Sequence, residues 1–322
     1  MSDPTIAIIQ SNPVFLNLPE TISKTKKLVV DAANLGADII VFPETWLPGY
    51  PVWLDYAKEL AMWGQAGAKA LYRILYDNSI ELNDKHCRCL QDMADELDVI
   101  ISLGAHERVG RTLYNTMMFF SPKAEHPYIH RKFVPTYTEK LLWGMGDGST
   151  FGVVESKWGN VSGLICWEHW MPLARAALHD MCEIIHIAQW PEVHKAHLIA
   201  SQHYAFEGRC FVAASGMVLT KGQMLEGLNS LGTNEAAAKE MFLSIAGDND
   251  KLLKNGGSTI IGPDAEFIAA PVYDQDIILV ETLPLAEAKE QLMTLDVSGH
   301  YARPDVFELT MNTKAHTNLK KK

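Results

Sequence analysis

Residues 37–42 read ADIIVF, and Pro43 and Glu44 follow at once. A short apolar run without polar alternation describes a strand covered on both faces. Pro43 stops it, because proline has no N–H to give a β-ladder. Just upstream, Ile22, Leu28, Val29, Ala32 and Leu35 share one face of a helix expected over Ile22 to Leu35, and Gly36 stands where a C-cap belongs. Before that helix, Thr5–Gln10 (TIAIIQ) reads as another short strand. Strand, helix and buried strand in succession indicate α/β construction.

The same alternation continues outward. Further strands are expected at Val99–Gly104, Leu113–Phe120 and Tyr128–His130, then a hairpin through Phe151–Ser156 and Val161–Cys166. A helix from about Pro172 to His179, the strand Glu183–Ala188, a helix around His197–Glu207 and the strand Cys210–Ala214 complete the middle. Gly216 to Gly257 is polar, contains Gly and Asn, and reads as an insertion that is partly helical near Glu235–Leu243. Ser258–Ile261 and Asp276–Glu281 are closing strands. Hairpins among the helix-linked strands imply mixed sheets. No repeat or long linker divides the chain, so residues 1–309 read as one domain. Residues 310–322 read as a short polar tail, with Lys320–Lys322 a solvated end.

Composition narrows the function. The 322 residues are 48% hydrophobic and 21% charged, which suits a globular chain with a sizeable core. Lys plus Arg is 28 and Asp plus Glu is 39, a net charge of −11, so no basic excess exists to bind nucleic acid. The start MSDPTIAIIQ has no basic segment leading into a signal-like apolar core, and no stretch is long enough to span a membrane. Five scattered cysteines are an odd number and fit a reducing compartment, so a cytoplasmic protein is expected.

Three polar residues stand at strand ends. Glu44 follows VFP, Lys132 follows YIHR, and Cys166 follows GLI. Strand ends in α/β sheets aim side chains into crevices. There a carboxylate can take a proton from a thiol, and a cation can stabilise both the thiolate and negative charge developing on a substrate. Taken singly, each residue also has a plain structural reading: core filler for the cysteine, a solvated turn for the glutamate, and a surface charge for the lysine beside Arg131.

The words around them resolve the choice. FPETWLPGYP at Phe42–Pro51, Arg131–Lys132 with the following PTYTEKLLWGMGDGS, and GLICWEHWMPLAR at Gly163–Arg175 resemble the nitrilase branch of the carbon–nitrogen hydrolase superfamily. GGSTIIGPDAEFIAAP and GHYARPDVF resemble its closing strands and C-terminal signature, and the order is the family's from about Thr5 to Leu309. The resemblance implies a four-layer α-β-β-α sandwich of two mixed sheets covered by helices. It assigns Cys166 as nucleophile, Glu44 as general base, Lys132 as cationic stabiliser, and Glu139 as a second glutamate holding Lys132. It implies hydrolysis of an organic nitrile to carboxylic acid and ammonia through a covalent thioimidate and thioester, without metal or organic cofactor.

The resemblance also ranks the neighbouring activities. Trp167 and Glu168 follow Cys166, whereas amidase and carbamoylase relatives more often have Asp two positions after the cysteine. Cyanide-hydrolysing relatives share Cys-Trp-Glu, and a catalytically silent scaffold is disfavoured by the presence of all four polar residues. Trp143, Trp167, Trp190 and Pro191 would border the pocket and favour an apolar or aromatic nitrile, with core packing the alternative for the indoles. Homodimers or larger homo-oligomers are expected by the same resemblance. Ala265 and Asp276 stand where the family commonly has glycine, which bears on local turn geometry. Cys87-Arg88-Cys89 beside His86 lacks zinc-site spacing, and Gly144, Gly146 and Gly148 lack the Lys-Ser/Thr of a phosphate loop. His194, His197 and His203 are expected to decorate a helix.

Overall fold

A computed structural model describes residues 2–317; the Lys320–Lys322 end lies outside the described residues. The strands are β1 (Thr5–Gln10), β2 (Ile39–Val41), β3 (Ile100–Val109), β4 (Thr112–Phe120), β5 (Tyr128–Arg131), β6 (Val154–Ser156), β7 (Gly159–Ile165), β8 (Glu183–Gln189), β9 (Phe211–Ser215), β10 (Val218–Thr220), β11 (Leu252–Ile261), β12 (Phe267–Tyr273) and β13 (Ile277–Thr282). The helices are α1 (Leu18–Asn34), α2 (Trp53–Tyr56), α3 (Ala66–Asp77), α4 (Lys85–Leu97), α5 (Pro172–Asp180), α6 (Lys195–Gly208), α7 (Lys221–Ser230), α8 (Ala236–Ser244) and α9 (Leu285–Gln291).

Two mixed sheets result. One runs β13-β1-β2-β3-β4-β5; the other runs β10-β11-β9-β8-β7-β6, with β12 on the far edge of β11. In the first, β1, β2 and β3 are parallel, pairing Ile8 with Val41 and Ile39 with Ile100. In the second, β7, β8 and β9 are parallel, pairing Ile165 with Gln189 and Gln189 with Ser215. Ile6, Ile8, Val41 and Met117 of the first sheet share one buried core with Ile165, Ile187 and Val212 of the second. Burying each such side chain contributes roughly 1.5–3 kcal/mol, so this interior holds the sheets face to face. The opposite face of the first sheet, including Ile40 and Ile101, packs on Ile22, Val29, Leu90 and Ala94 of α1 and α4. Helices α5 and α6 cover the second sheet. The order is helix, sheet, sheet, helix.

Where the sequence reading differs, the causes are local. Helix α1 starts four residues before Ile22 because Asn17 accepts from Glu20 N at 3.2 Å and Pro19 fits the first turn. Helix α4 contains the Cys87-Arg88-Cys89 stretch; Asp84 caps it and Cys87 is one of its buried residues. The Gly216–Gly257 segment contains β10, α7, α8 and the start of β11. Its helices pack with α2 and α3 around Phe15, Trp53 and Phe242, whose rings lie 5.9–6.0 Å apart. This cluster buttresses the side of the molecule where Tyr50 and Lys254 stand. Ala265 has φ 71°, which explains why a glycine would suit that turn. Residues 310–317 return to the body: His316 N donates to Asp147 Oδ2 at 2.7 Å. Among the described residues, no helix is long and apolar enough to cross a membrane.

Candidate active site

The site forms where strands end. Glu44 leaves β2 through Pro43, Lys132 leaves β5, and Cys166 leaves β7. Gly104 of β3 passes against the Glu44 loop so closely that a Cβ would overlap the Thr45 backbone. Lys132 is fixed by its N–H donating to Asn115 O at 2.8 Å. Cys166 adopts φ 54° at the start of a short 3-10 turn, a left-handed conformation that a non-glycine residue adopts at a cost.

Glu44, Lys132, Glu139 and Cys166 converge and are all buried. Lys132 Nζ donates to Glu44 Oε1 at 2.9 Å and to Glu139 Oε2 at 2.7 Å. Cys166 Sγ and one oxygen from each glutamate lie within 4.8 Å of one another. Asn115 Nδ2 donates to Glu44 Oε1 at 2.7 Å, leaving Oε2 without a hydrogen-bond partner. Glu139 also accepts from Tyr50 Oη at 3.1 Å and from Thr136 N at 2.6 Å. A cysteine with two carboxylates is also a possible metal donor set. Here the Lys132 ammonium already bridges both carboxylates, and a divalent cation would have to displace it or lie against its charge.

The electrostatics suit proton transfer. Burial raises the Glu44 carboxyl, Lys132 pulls it partly back, and it settles at about 7. Burial and the neighbouring Glu44 push the Cys166 thiol well up against the pull of Lys132. The sulfur therefore rests protonated and needs a base to become a nucleophile. Burial disfavours the Lys132 ammonium, but Glu44, Cys166 and Glu139 outweigh it, so the lysine stays charged. The arrangement can remove a proton from the sulfur, deliver it to a substrate atom, and stabilise negative charge nearby.

Glu168 joins the two halves of this site. Its carboxylate accepts from Ile165 N at 2.8 Å, Phe133 N at 2.7 Å and His130 Nε2 at 2.9 Å. Burial would raise its pKa, yet His130 and the backbone donors outweigh that and hold it below the usual range. Behind the nucleophile, His169 Nδ1 donates to Cys166 O at 2.7 Å, and its Nε2 meets His186 Nε2 at 3.1 Å. His186 in turn contacts Glu183 at 2.9 Å, which Tyr204 and His179 also engage.

A cavity of about 260 Å³ opens onto Cys166 and Glu139. Trp167 and Pro191 line it, as the sequence reading placed them. Trp143 and Trp190 do not: both are buried behind the wall. Trp143 donates Nε1 to His106 Nδ1 at 3.0 Å, with its ring centre 5.9 Å from Lys132 Nζ. Trp190 is stacked between His169 and His197, with ring centres 4.6 and 4.3 Å away. Sequence reasoning missed Tyr50, Glu192, His197 and Lys254 on the lining. Tyr50 lay within the quoted FPETWLPGYP, and Glu192 follows Trp190-Pro191 directly. Lys254 carried no local signal, and His197 is on the expected helix but faces the cavity through α6's first turn.

The family model described as Carbon-nitrogen hydrolase matches residues 5–291. Over 307 residues the chain is 32% identical to Nitrilase 3 of Arabidopsis thaliana, covering 95% of this chain and 86% of that protein. It is 33% identical over 308 residues to an aliphatic nitrilase of Sinorhizobium fredii, covering 95% and 94%. A carbon–nitrogen hydrolase superfamily protein from Xanthomonas campestris superposes with a TM-score of 0.68 at 16% identity, covering 92% of this chain and 97% of that one. The chain belongs to the carbon–nitrogen hydrolase family, in its nitrilase branch. It is a hydrolase of carbon–nitrogen bonds.

Proposed function

We propose that the enzyme hydrolyses a small organic nitrile to a carboxylic acid and ammonia, with Cys166 as the nucleophile. The observation that carries this is the packing of Cys166 Sγ against Glu44 and Glu139 with Lys132 bridging the two carboxylates. Glu44 takes the thiol proton as sulfur bonds to the nitrile carbon, and returns it to nitrogen, giving a thioimidate. Water adds to that carbon, the C–N bond breaks, and ammonia leaves with a proton passed through Glu44. The resulting thioester is cleaved by a second water, giving the acid and restoring the thiol. Two waters are consumed for each nitrile. Two Lys132 N–H groups are held by glutamates, leaving the third for negative charge developing at the reacting centre.

The domain extends over residues 1–309, with 310–322 as an appended tail. Five unpaired cysteines support a cytoplasmic location. The exposed apolar side chains Trp170, Leu173, Ile199 and Phe206 on the outer layer of the second sheet support assembly into a homo-oligomer. The decisive assay offers the purified protein aliphatic, aromatic and arylaliphatic nitriles, their matched amides, and cyanide. Acid and ammonia from nitriles support the reading; turnover of amides or cyanide alone overturns it.

A further inference from the structure

The cavity that Cys166 lines also carries a second charge cluster, in which Lys254 is buried, Glu192 mostly buried and Asp55 partly exposed. Lys254 Nζ donates to Asp55 Oδ2 and to Glu192 Oε1, each at 2.9 Å, and sits 5.0 Å from the centre of the Tyr50 ring. Its side chain is only 6% exposed. Glu192 also accepts from Asn255 N at 3.2 Å, which holds the carboxylate in place. A lysine lining a substrate cavity would ordinarily suggest recognition of an acid. Here both carboxylates already claim it and the aromatic face occupies its remaining side.

Counted together, the two clusters set Glu139, Asp55, Glu192 and a partly ionised Glu44, raised to about 7, against two ammonium groups, Lys132 and Lys254, so negative charge prevails. The neighbouring His197 does not reverse the balance. Burial lowers His197 to about 4, so it is neutral, and His194, 3.1 Å from Glu192, is half exposed to solvent. The cavity opens to solvent past Tyr137 and Trp167, so screening is partial, and it is weakest at the Lys254–Glu192 pair, which is mostly buried.

We propose that Asp55, Glu192 and Lys254 form a charge-selecting wall of the substrate cavity. It admits small nitriles bearing a neutral or cationic end and rejects those bearing a carboxylate. The same wall would hasten departure of the product, which is itself a carboxylate. This proposal rests on the nitrile-hydrolysing reading and names the sign of charge its substrates carry. It differs from selection by an apolar pocket, which would reject both kinds of ion.

The test uses the full-length enzyme and three aliphatic nitriles of matched length, ending in methyl, ammonium or carboxylate. The expected kcat/KM for the carboxylate is at least about 30-fold below that for the methyl compound, because like charges brought together at the wall repel. The ammonium compound matches or exceeds the methyl compound, and high salt narrows the spread between the two ions. Glu192→Gln, which partly releases Lys254, raises the carboxylate-to-methyl ratio about tenfold, with folding checked by circular dichroism. Carboxylate turnover within threefold of methyl, or equal rejection of both ions, overturns the proposal. The same three end groups are run as amides. If only amides react, the nitrile reading fails while the order of charges still decides this proposal.

Discussion

Lys132 Nζ and Glu44 Oε1 lie 2.9 Å apart, and neither side chain reaches solvent. An ion pair this deep is held by mutual need, since removing one partner leaves a charge buried and uncompensated. Lys132→Ala strands both Glu44 and Glu139. The expected loss is about 3–5 kcal/mol in folding stability and at least about 100-fold in turnover. Urea unfolding and steady-state kinetics on the same preparation check both figures.

Activity should depend on pH through Glu44. As a base it must be ionised, and its carboxyl is raised to about 7. Below that value the protonated form dominates, so kcat/KM should fall about tenfold for each further unit of pH. Above it the rate should level, because Lys132 is raised well above its ordinary value and keeps its charge. A profile flat down to pH 5 would contradict the assignment. Glu44→Gln should abolish turnover at every pH.

Glu168 should act through geometry. Glu168→Ala leaves Ile165 N and Phe133 N without their acceptor, at a cost of about 1–3 kcal/mol for each buried donor. The left-handed turn at Cys166 then loses its restraint, so kcat should drop more than KM rises. Glu168→Gln keeps one acceptor oxygen and should recover part of both stability and kcat. Denaturant melts and the kcat–KM split decide the matter.

His179 makes stability sensitive to alkali. Burial would lower its pKa, but Glu183 and Glu207, 2.8 and 3.3 Å away, raise it to about 9. Because the folded value exceeds the ordinary 6.5, its stabilisation is complete below 6.5 and is lost as pH rises through about 9. The amount is on the order of 3 kcal/mol. Thermal melts from pH 6 to 10 should show the decline, and His179→Gln should flatten it.

The strands that carry the site were legible because they are continuous apolar runs ending abruptly: VFP before Glu44, YIHR before Lys132, GLI before Cys166. β2 and β7 pair parallel with their neighbours, whereas β5 pairs antiparallel with β4 and so runs in the same direction as β3. Helix α4 was hidden because its buried face mixes Cys87, Leu90 and Met93 with a charged remainder, and its cap is a single aspartate. Trp143 and Trp190 illustrate a different limit. Their segments reach the cavity, but side-chain direction turns both rings into supports for His106, His169 and His197. The wall of Asp55, Glu192 and Lys254 joins residues up to 199 positions apart, so no local pattern could announce it.

The central claim is that Cys166 becomes covalently bonded to the substrate carbon. The most direct measurement is acid quenching during turnover of a nitrile, followed by mass spectrometry of the peptide containing Cys166. The account predicts an adduct on that sulfur with the mass of the thioimidate or thioester, absent from Cys166→Ala together with turnover. Turnover that persists in Cys166→Ala, or an adduct formed on a different residue, would contradict it.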